Sequence, residues 1–361
     1  MTRRRLEELV ARLEPRMRKR FREVMCIVRR RRSVAQLEAA LEDGTIGTLL
    51  DDVEAAAGKL AAETVTAHAT VAAEVATYLQ TKVATLVSFD GTNPRAVAAL
   101  ARNRFSLIQG LREDQRQALG EMLRQGLEGG WNPRQTAIAI RDSIGLTDVQ
   151  AKWVANYRRA LETADRKALG YKLRDARSDR AVAAAADAGK ALPQERIDRL
   201  VARYSERQLA YRAEAIARTE TLRAAHEAQD EAYQQAVDAG HIDVDRLQYV
   251  WHAGAKPRTR DSHALMRGQR RRHGVAFKSG AGYQLRYPCD PEAPASEVVH
   301  CRCSKSCRVL PAGQVAVNAD EAEDVKQAIT DMLLHYGTPM PKPGEEVKRP
   351  KQVEDIEEIF D

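Results

Sequence analysis

From Pro193 to about Ala239 the chain holds one helical pattern with no internal glycine or proline, and Gly240 follows as a C-cap candidate. About 45 residues at 1.5 Å each make a rod of roughly 65–70 Å, longer than a small domain is wide. A break is expected near Ser205. The second half, AEAIARTETLRAAHEAQDEAY, places Arg218-Thr219-Glu220 just ahead of Leu222, Ala225 and His226. Glu214 and Arg218 are four apart and can pair on the helix surface. The functional alternative has Arg218 and Glu220 reaching across to the segment that follows and fixing it against the helix.

Composition agrees with a helical frame. Charged residues make up 30% of the 361 and aromatics 5%, which suits long exposed helices better than a sandwich or a doubly wound sheet. The net charge of +7 permits an anionic partner without demanding one. No apolar run approaches the length of a membrane span, and the charged start, MTRRRLEELVARLEPRMRKR, has no apolar signal region. The expectation is a soluble chain made in a reducing compartment. Four of five cysteines (Cys289, Cys301, Cys303, Cys307) fall within nineteen positions, a clustering that favours metal over a disulfide framework.

In chain order, residues 1–40 form a basic helical arm with apolar positions at Leu6, Leu9, Val10, Leu13, Met17, Phe21, Val24 and Val28. Pro15 is expected to kink or split it. Its arginines could lie on nucleic acid or an acidic protein, but on their own they are read as the solvated face of an amphipathic helix. Residues 41–170 read as a helical bundle: Ala-rich helices over 53–67 and 71–86, a turn at 89–94, then helices over 97–108, 113–127, 134–143 and from 148 onward. His68 and Trp153 are read as packing residues. Residues 171–244 hold the long helix, 245–312 a loop-rich Cys/His module, and 313–361 an acidic tail with a docking or mobile character.

The module begins with a strand at 247–250 leading to Trp251. A short helix follows at Thr259–His263, capped by Asp261 or Ser262, then Gly268 and the basic cluster Arg270-Arg271-Arg272-His273. A hairpin is expected between 275–277 and 283–287. Cys301 and Cys303, two apart on an extended segment, point to one face and can reach one ion. His263 is a good third ligand, with Asp261 completing the set or bonding the imidazole from outside. Cys289, His300 and Cys307 compete. Spacing alone leaves a metal site and a pair of buried thiols both open; a module this poor in large apolar residues gains most from metal.

The ordered series Arg218-Thr219-Glu220, Trp251, Arg260-Asp261-Ser262-His263, Gly268, Phe277, Tyr287-Pro288-x-Asp290-Pro291 and Cys301-Arg302-Cys303 resembles the phage Mu protein F-like family, over about 165–310. Those are minor head, or head morphogenesis, proteins of tailed double-stranded DNA phages. This chain departs from the family pattern at Cys289, where glycine is usual, and at His300, where asparagine is usual. Asp261, His263, Cys301 and Cys303 match, and are the residues expected to hold a structural Zn2+.

The expected architecture is mainly α: a helical bundle and long helix leading into a small, zinc-stabilised C-terminal α+β module. The resemblance implies a structural minor capsid protein of a phage or prophage rather than an enzyme. It would act near the portal in head assembly and DNA packaging or delivery. Its implied location is the virion head, after assembly in the host cytoplasm, with portal and other head proteins as partners and Arg270, Arg271 and Arg272 offered to DNA or portal. The alternatives are a toxin-like effector, or a metal-dependent nuclease using His263, His273 or His300. The module is short of carboxylates for the nuclease: Asp261, Asp290, Glu292 and Glu297 are all it has between Trp251 and Cys303.

Overall fold

A computed structural model describes residues 1–83, 87–94, 106–255 and 259–319. The helix expected over 97–108 lies largely outside the described residues, as does most of the acidic tail.

Three long helices frame the molecule: α1 (Arg3–Arg31), α3 (Leu49–Gln80) and α9 (Gln194–Asp238). Between the first two sits α2 (Val34–Glu42). The middle of the chain supplies α4 (Ser106–Gln109), α5 (Leu111–Glu128), α6 (Pro133–Ser143), α7 (Asp148–Glu162) and α8 (Asp179–Asp187). Start signals legible in the sequence do their work here. Asn132 and Thr147 each accept from the backbone three residues on, while Gln135 and Gln150 reach back to the cap backbone.

The three long helices are less interrupted than the sequence predicts. Helix α1 continues through Pro15, because one buried stripe from Leu6 to Val28 crosses that position and pins both halves to the same neighbours. Helix α3 replaces two expected helices; the hydroxyls of Thr64, Thr66 and Thr70 bond back to carbonyls four residues earlier, so these threonines do not end it. Helix α9 is unbroken at Ser205. That hydroxyl donates to the Asp142 carbonyl at 2.5 Å and accepts from Arg29, so the serine is a contact point between helices.

Two apolar cores lie along this frame. The first joins the second half of α1 (Met17, Phe21, Val24), the first half of α3 (Val53, Leu60), α5 to α7 and the first half of α9. The second joins the first half of α1 (Leu6, Leu9, Leu13), the second half of α3 (Val71, Val75, Leu79), the second half of α9 and the C-terminal module. The basic segment 1–40 is thus packed along its length. Arg5 pairs with Glu74, Arg31 and Arg32 with Asp52, and Arg29 is taken up by the Ile144 and Asp142 carbonyls. His68 is buried and packs near Phe89, and Trp153 lies partly buried on the first core.

The module is built on an antiparallel sheet in the order β2-β1-β5, from β1 (Leu247–His252), β2 (Arg270–Arg272) and β5 (Ser304–Val309). Leu247 faces Val309 and His252 faces Ser304 across the β1–β5 pair. The expected hairpin is present but short, β3 (Phe277–Lys278) against β4 (Gln284–Leu285). Single turns α10 (Asp261–Ala264) and α11 (Ala295–Val298) complete it. The protein is therefore mainly helical, with a small C-terminal sheet module, and no described helix is long and apolar enough to cross a membrane.

Candidate metal centre

Strand β1 carries Trp251 into the module interior, where its ring meets His263 edge-on at 5.7 Å and Phe277 at 5.2 Å. Gly268 sits at φ +77 and its N–H returns to the Trp251 carbonyl, a left-handed turn that favours glycine. This folds the chain so that α10 lies beside the segment leading into β5. Where β1 ends, a Cβ on Gly254 would come within 3.1 Å of the Arg302 carbonyl, so the glycine eases the close approach of the Cys301–Cys303 segment.

These approaches bring His263, Cys301 and Cys303 together. Their ligand atoms lie within 4.8 Å of one another, and His263 Nδ1 is 3.4 Å from Cys301 Sγ and 3.5 Å from Cys303 Sγ. All three residues are buried. On the far side of the ring, Nε2 meets Glu297 Oε2 at 2.9 Å, and Ser262 donates to the same carboxylate. A proton on Nε2 bonded to Glu297 leaves the Nδ1 lone pair facing the two thiols. That tautomer is the one a metal needs, with a carboxylate orienting the ligand from behind.

The thiols are held protonated while no ion is beside them. Contact with Cys289, together with burial, pushes Cys301 up to about 12, and contact with Cys301 and burial raise Cys303 well above the ordinary range. A divalent cation reverses this by deprotonating the thiols it binds. The donor set, the mutual spacing and the carboxylate behind the histidine all fit Zn2+.

Of the four residues expected to hold the ion, the structure brings three together. Asp261 opens α10 on the exposed side and is not part of the group, because the turn that sends His263 inward sends the residue two before it outward. Glu297 takes the orienting position proposed for Asp261. Sequence reasoning missed it: a carboxylate 34 positions from its histidine leaves no spacing signal. Nor does Asp261 or Ser262 cap α10, whose N-cap is Arg260. The Arg260 guanidinium instead reaches the Glu297 and Val299 carbonyls and holds α11 in place.

The Arg218-Thr219-Glu220 segment is inside the molecule. Arg218 pairs with Glu14 of α1 at 3.0 Å and with Glu214 at 3.1 Å, so it fixes helix to helix. Glu220 is fully buried; it binds Arg223 at 3.0 Å and accepts from the Leu107 N–H. Arg223 makes the contact expected of the motif, donating from Nε to the Cys289 carbonyl at 2.9 Å. Its only sequence signal was the three-residue spacing from Glu220. Thr219 is buried between them.

The Arg270–Arg272 cluster is divided by the strand it occupies. Arg270 and Arg272 face out, whereas Arg271 is buried over the Phe277 ring and donates to the carbonyls of Ala276, Arg270 and Ala319. Alternation along β2 thus removes Arg271 from any surface contact. His273 bonds Tyr249 and Gln234, away from the metal group, and the His300 ring lies against Tyr211. Cys307 lies four residues beyond Cys303, on β5 and outside the metal group, and its carbonyl accepts from Tyr233.

A second feature had no signal in the sequence. A cleft of about 450 Å³ opens between α9 and the module, lined among others by Glu227, Asp230, Tyr249, Tyr287 and Lys305. Lys305, itself buried, pairs with Asp230 at 2.6 Å and lies over the rings of Tyr249 and Tyr287. The Tyr287 hydroxyl donates to Glu227 at 2.5 Å, and burial raises the Glu227 carboxyl to about 7.

Together, frame and site define a helical protein whose second half is a long helix capped by a compact His/Cys module. Residues 180–306, which take in α9 and the module as far as β5, match the family model described as Phage Mu protein F like protein. Over that span the chain resembles the phage Mu protein F-like family, a domain that suggests phage head morphogenesis. No match to the chain was found among curated proteins or among solved structures. The two departures from the family pattern fall at the module's non-glycine residues with positive φ: Cys289 at +67 and His300 at +58. Glycine and asparagine are the residues that adopt that backbone most readily.

Proposed function

We propose that this chain is a structural minor head protein of a tailed double-stranded DNA phage or prophage, acting near the portal in head assembly and in genome packaging or delivery. The observation that carries the proposal is the match over 180–306, which includes a module whose three candidate ligands are buried. Catalytic zinc keeps one coordination position open to substrate, whereas structural zinc is enclosed by the protein. His263, Cys301 and Cys303 are each no more than 3% exposed, which supports an ion that holds shape. In this reading they bind Zn2+, and Glu297 orients the histidine. The virion head is its final location and the host cytoplasm its place of synthesis. Arg270 and Arg272 are exposed for contact with DNA phosphates or an acidic portal surface, a contact that weakens with salt.

Co-expression with the cognate portal and head proteins, followed by sedimentation of the assemblies, tests this directly. The chain is expected to travel with portal-containing particles. Its absence from them under assembly conditions would overturn the proposal.

The enzymatic alternative draws on one observation, the cleft beside Glu227, whose carboxyl titrates near neutral pH next to Tyr287 and Lys305. Incubation of the purified chain with supercoiled or single-stranded DNA and Mg2+, Mn2+ or Zn2+ separates the readings. Cleavage that disappears in Glu227→Gln or His263→Ala, with the fold retained, would replace the structural proposal with a nuclease.

A further inference from the structure

Three ligands leave a zinc ion one short of its tetrahedron. The surroundings narrow the choice for the fourth. Glu297 is engaged on the Nε2 side of the imidazole, across the ring from the two sulfurs, and Asp261 faces outward. His300 has turned its ring to Tyr211, and Cys307 lies on β5 four residues beyond Cys303, beside Tyr249 and Tyr233. Cys289 remains. Its side chain has no solvent exposure, and it shares the buried core of Cys301, whose thiol lies against His263.

The backbone at Cys289 points the same way. At φ +67 it occupies the left-handed region, where a side chain brings strain that glycine would not. Such a conformation persists only when its surroundings over-determine it. Here they do. The Cys289 carbonyl is held by Arg223, itself clamped by buried Glu220. The next residue, Asp290, accepts from the backbone N–H of Arg286 and of Glu292 and pairs with the Arg286 guanidinium. A strained, fully buried cysteine at a position where the family pattern has glycine is explained if its sulfur has work to do.

We propose that Cys289 supplies the fourth ligand, completing with His263, Cys301 and Cys303 a Cys3His site for a thiophilic divalent cation such as Zn2+. The inference rests on the metal reading above. The Cys289 thiol donates to the Val298 carbonyl at 3.5 Å and stands beside Cys301, outside the 4.8 Å set formed by the other three. Binding thus requires release of that weak bond and movement of the thiol toward the other three ligands. On binding, the three thiols give up their protons to solvent, and the thiolates bind the ion with neutral His263.

The test uses the full chain, purified metal-free under reducing conditions, and titrated with Co2+ and with Zn2+ against a competing chelator. Wild type is expected to bind one ion per chain with thiolate-to-cobalt absorption. X-ray absorption at the zinc edge should give three sulfurs and one nitrogen, a readout that needs no variant. Cys289→Gly, which relieves the backbone strain, should fold as well as wild type and lose about a third of the thiolate absorption. Its Zn2+ affinity should fall by more than the ~10–100-fold expected of Glu297→Gln, which removes only an outer partner. A Cys289→Gly chain with wild-type absorption and affinity, or a wild-type zinc shell with two sulfurs, would overturn the fourth-ligand proposal and leave the three-ligand site standing. Wild type that binds neither ion would overturn both.

Discussion

At the scale of single residues, Glu227 makes the sharpest statement. Burial raises its carboxyl from 4.5 to about 7, ahead of the opposing effects of Tyr287, Arg223 and Arg286. A raised carboxyl means that the folded chain binds a proton the unfolded chain has released. Its contribution is therefore complete below pH 4.5 and is lost as the pH climbs to about 7, a change on the order of 3 kcal/mol. Glu227→Gln keeps an acceptor for Tyr287 and removes the titration. Thermal melts should place the variant level with wild type at pH 5 and above it at pH 8. Parallel curves across that range would show that the buried carboxyl does not govern stability. The same scale shows what a sequence hides. The Cys301-x-Cys303 spacing announced two thiols on one face, and His263 followed from ligand chemistry. Glu297 and Asp261 could not be sorted, because the direction of a side chain on a single helical turn depends on backbone that no spacing reveals. Cys289 was set aside as a departure from a family pattern, yet its φ is what gives that departure meaning.

At the scale of elements, α9 is the part the sequence described best, to within a residue at each end, because forty-five residues of uninterrupted period leave little else to form. The expected breaks at Ser205, at Pro15 in α1 and within α3 did not occur. In each case tertiary contacts, invisible in local pattern, hold the helix through a weak position. Helix α9 also carries the clamp on the module. Glu220→Ala would leave the Arg223 guanidinium buried without its carboxylate and loosen its hold on the Cys289 carbonyl. Removing one partner of a buried pair costs roughly 3–5 kcal/mol, which should appear as a large fall in chemical-denaturation midpoint. A loss under about 1 kcal/mol would mean that the pair is solvated in solution.

At the scale of the whole molecule, the module is continuous with the frame. Cys289, Cys301, Cys303 and Cys307 belong to the same core as Leu6, Leu9, Val71 and Tyr233. Metal should therefore stabilise the whole chain. Saturating Zn2+ is expected to move a single calorimetric transition upward, by about 2.7 kcal/mol at a hundredfold excess over Kd, with no separate module transition. Two transitions, of which only one responds to the ion, would show that the module unfolds alone. Likewise, deleting residues 1–31 should not release an idle basic arm; it strips Leu6, Leu13, Met17 and Phe21 from two cores and should leave an aggregating chain.

The union of the two ends of the chain also sets a schedule for synthesis. Leu6 and Leu9 share a core with residues of β5, and Ser304 bonds Glu7 across 297 positions. At roughly 5–20 residues per second, α1 leaves the ribosome about 15–60 seconds before the strand that covers it. Until then the part of the α1 apolar stripe that meets the module lacks its partner, while α3 and α9 supply the rest of its cover. The arginines along its other face would oppose self-association during that wait, which gives the positive charge of this segment a use during synthesis.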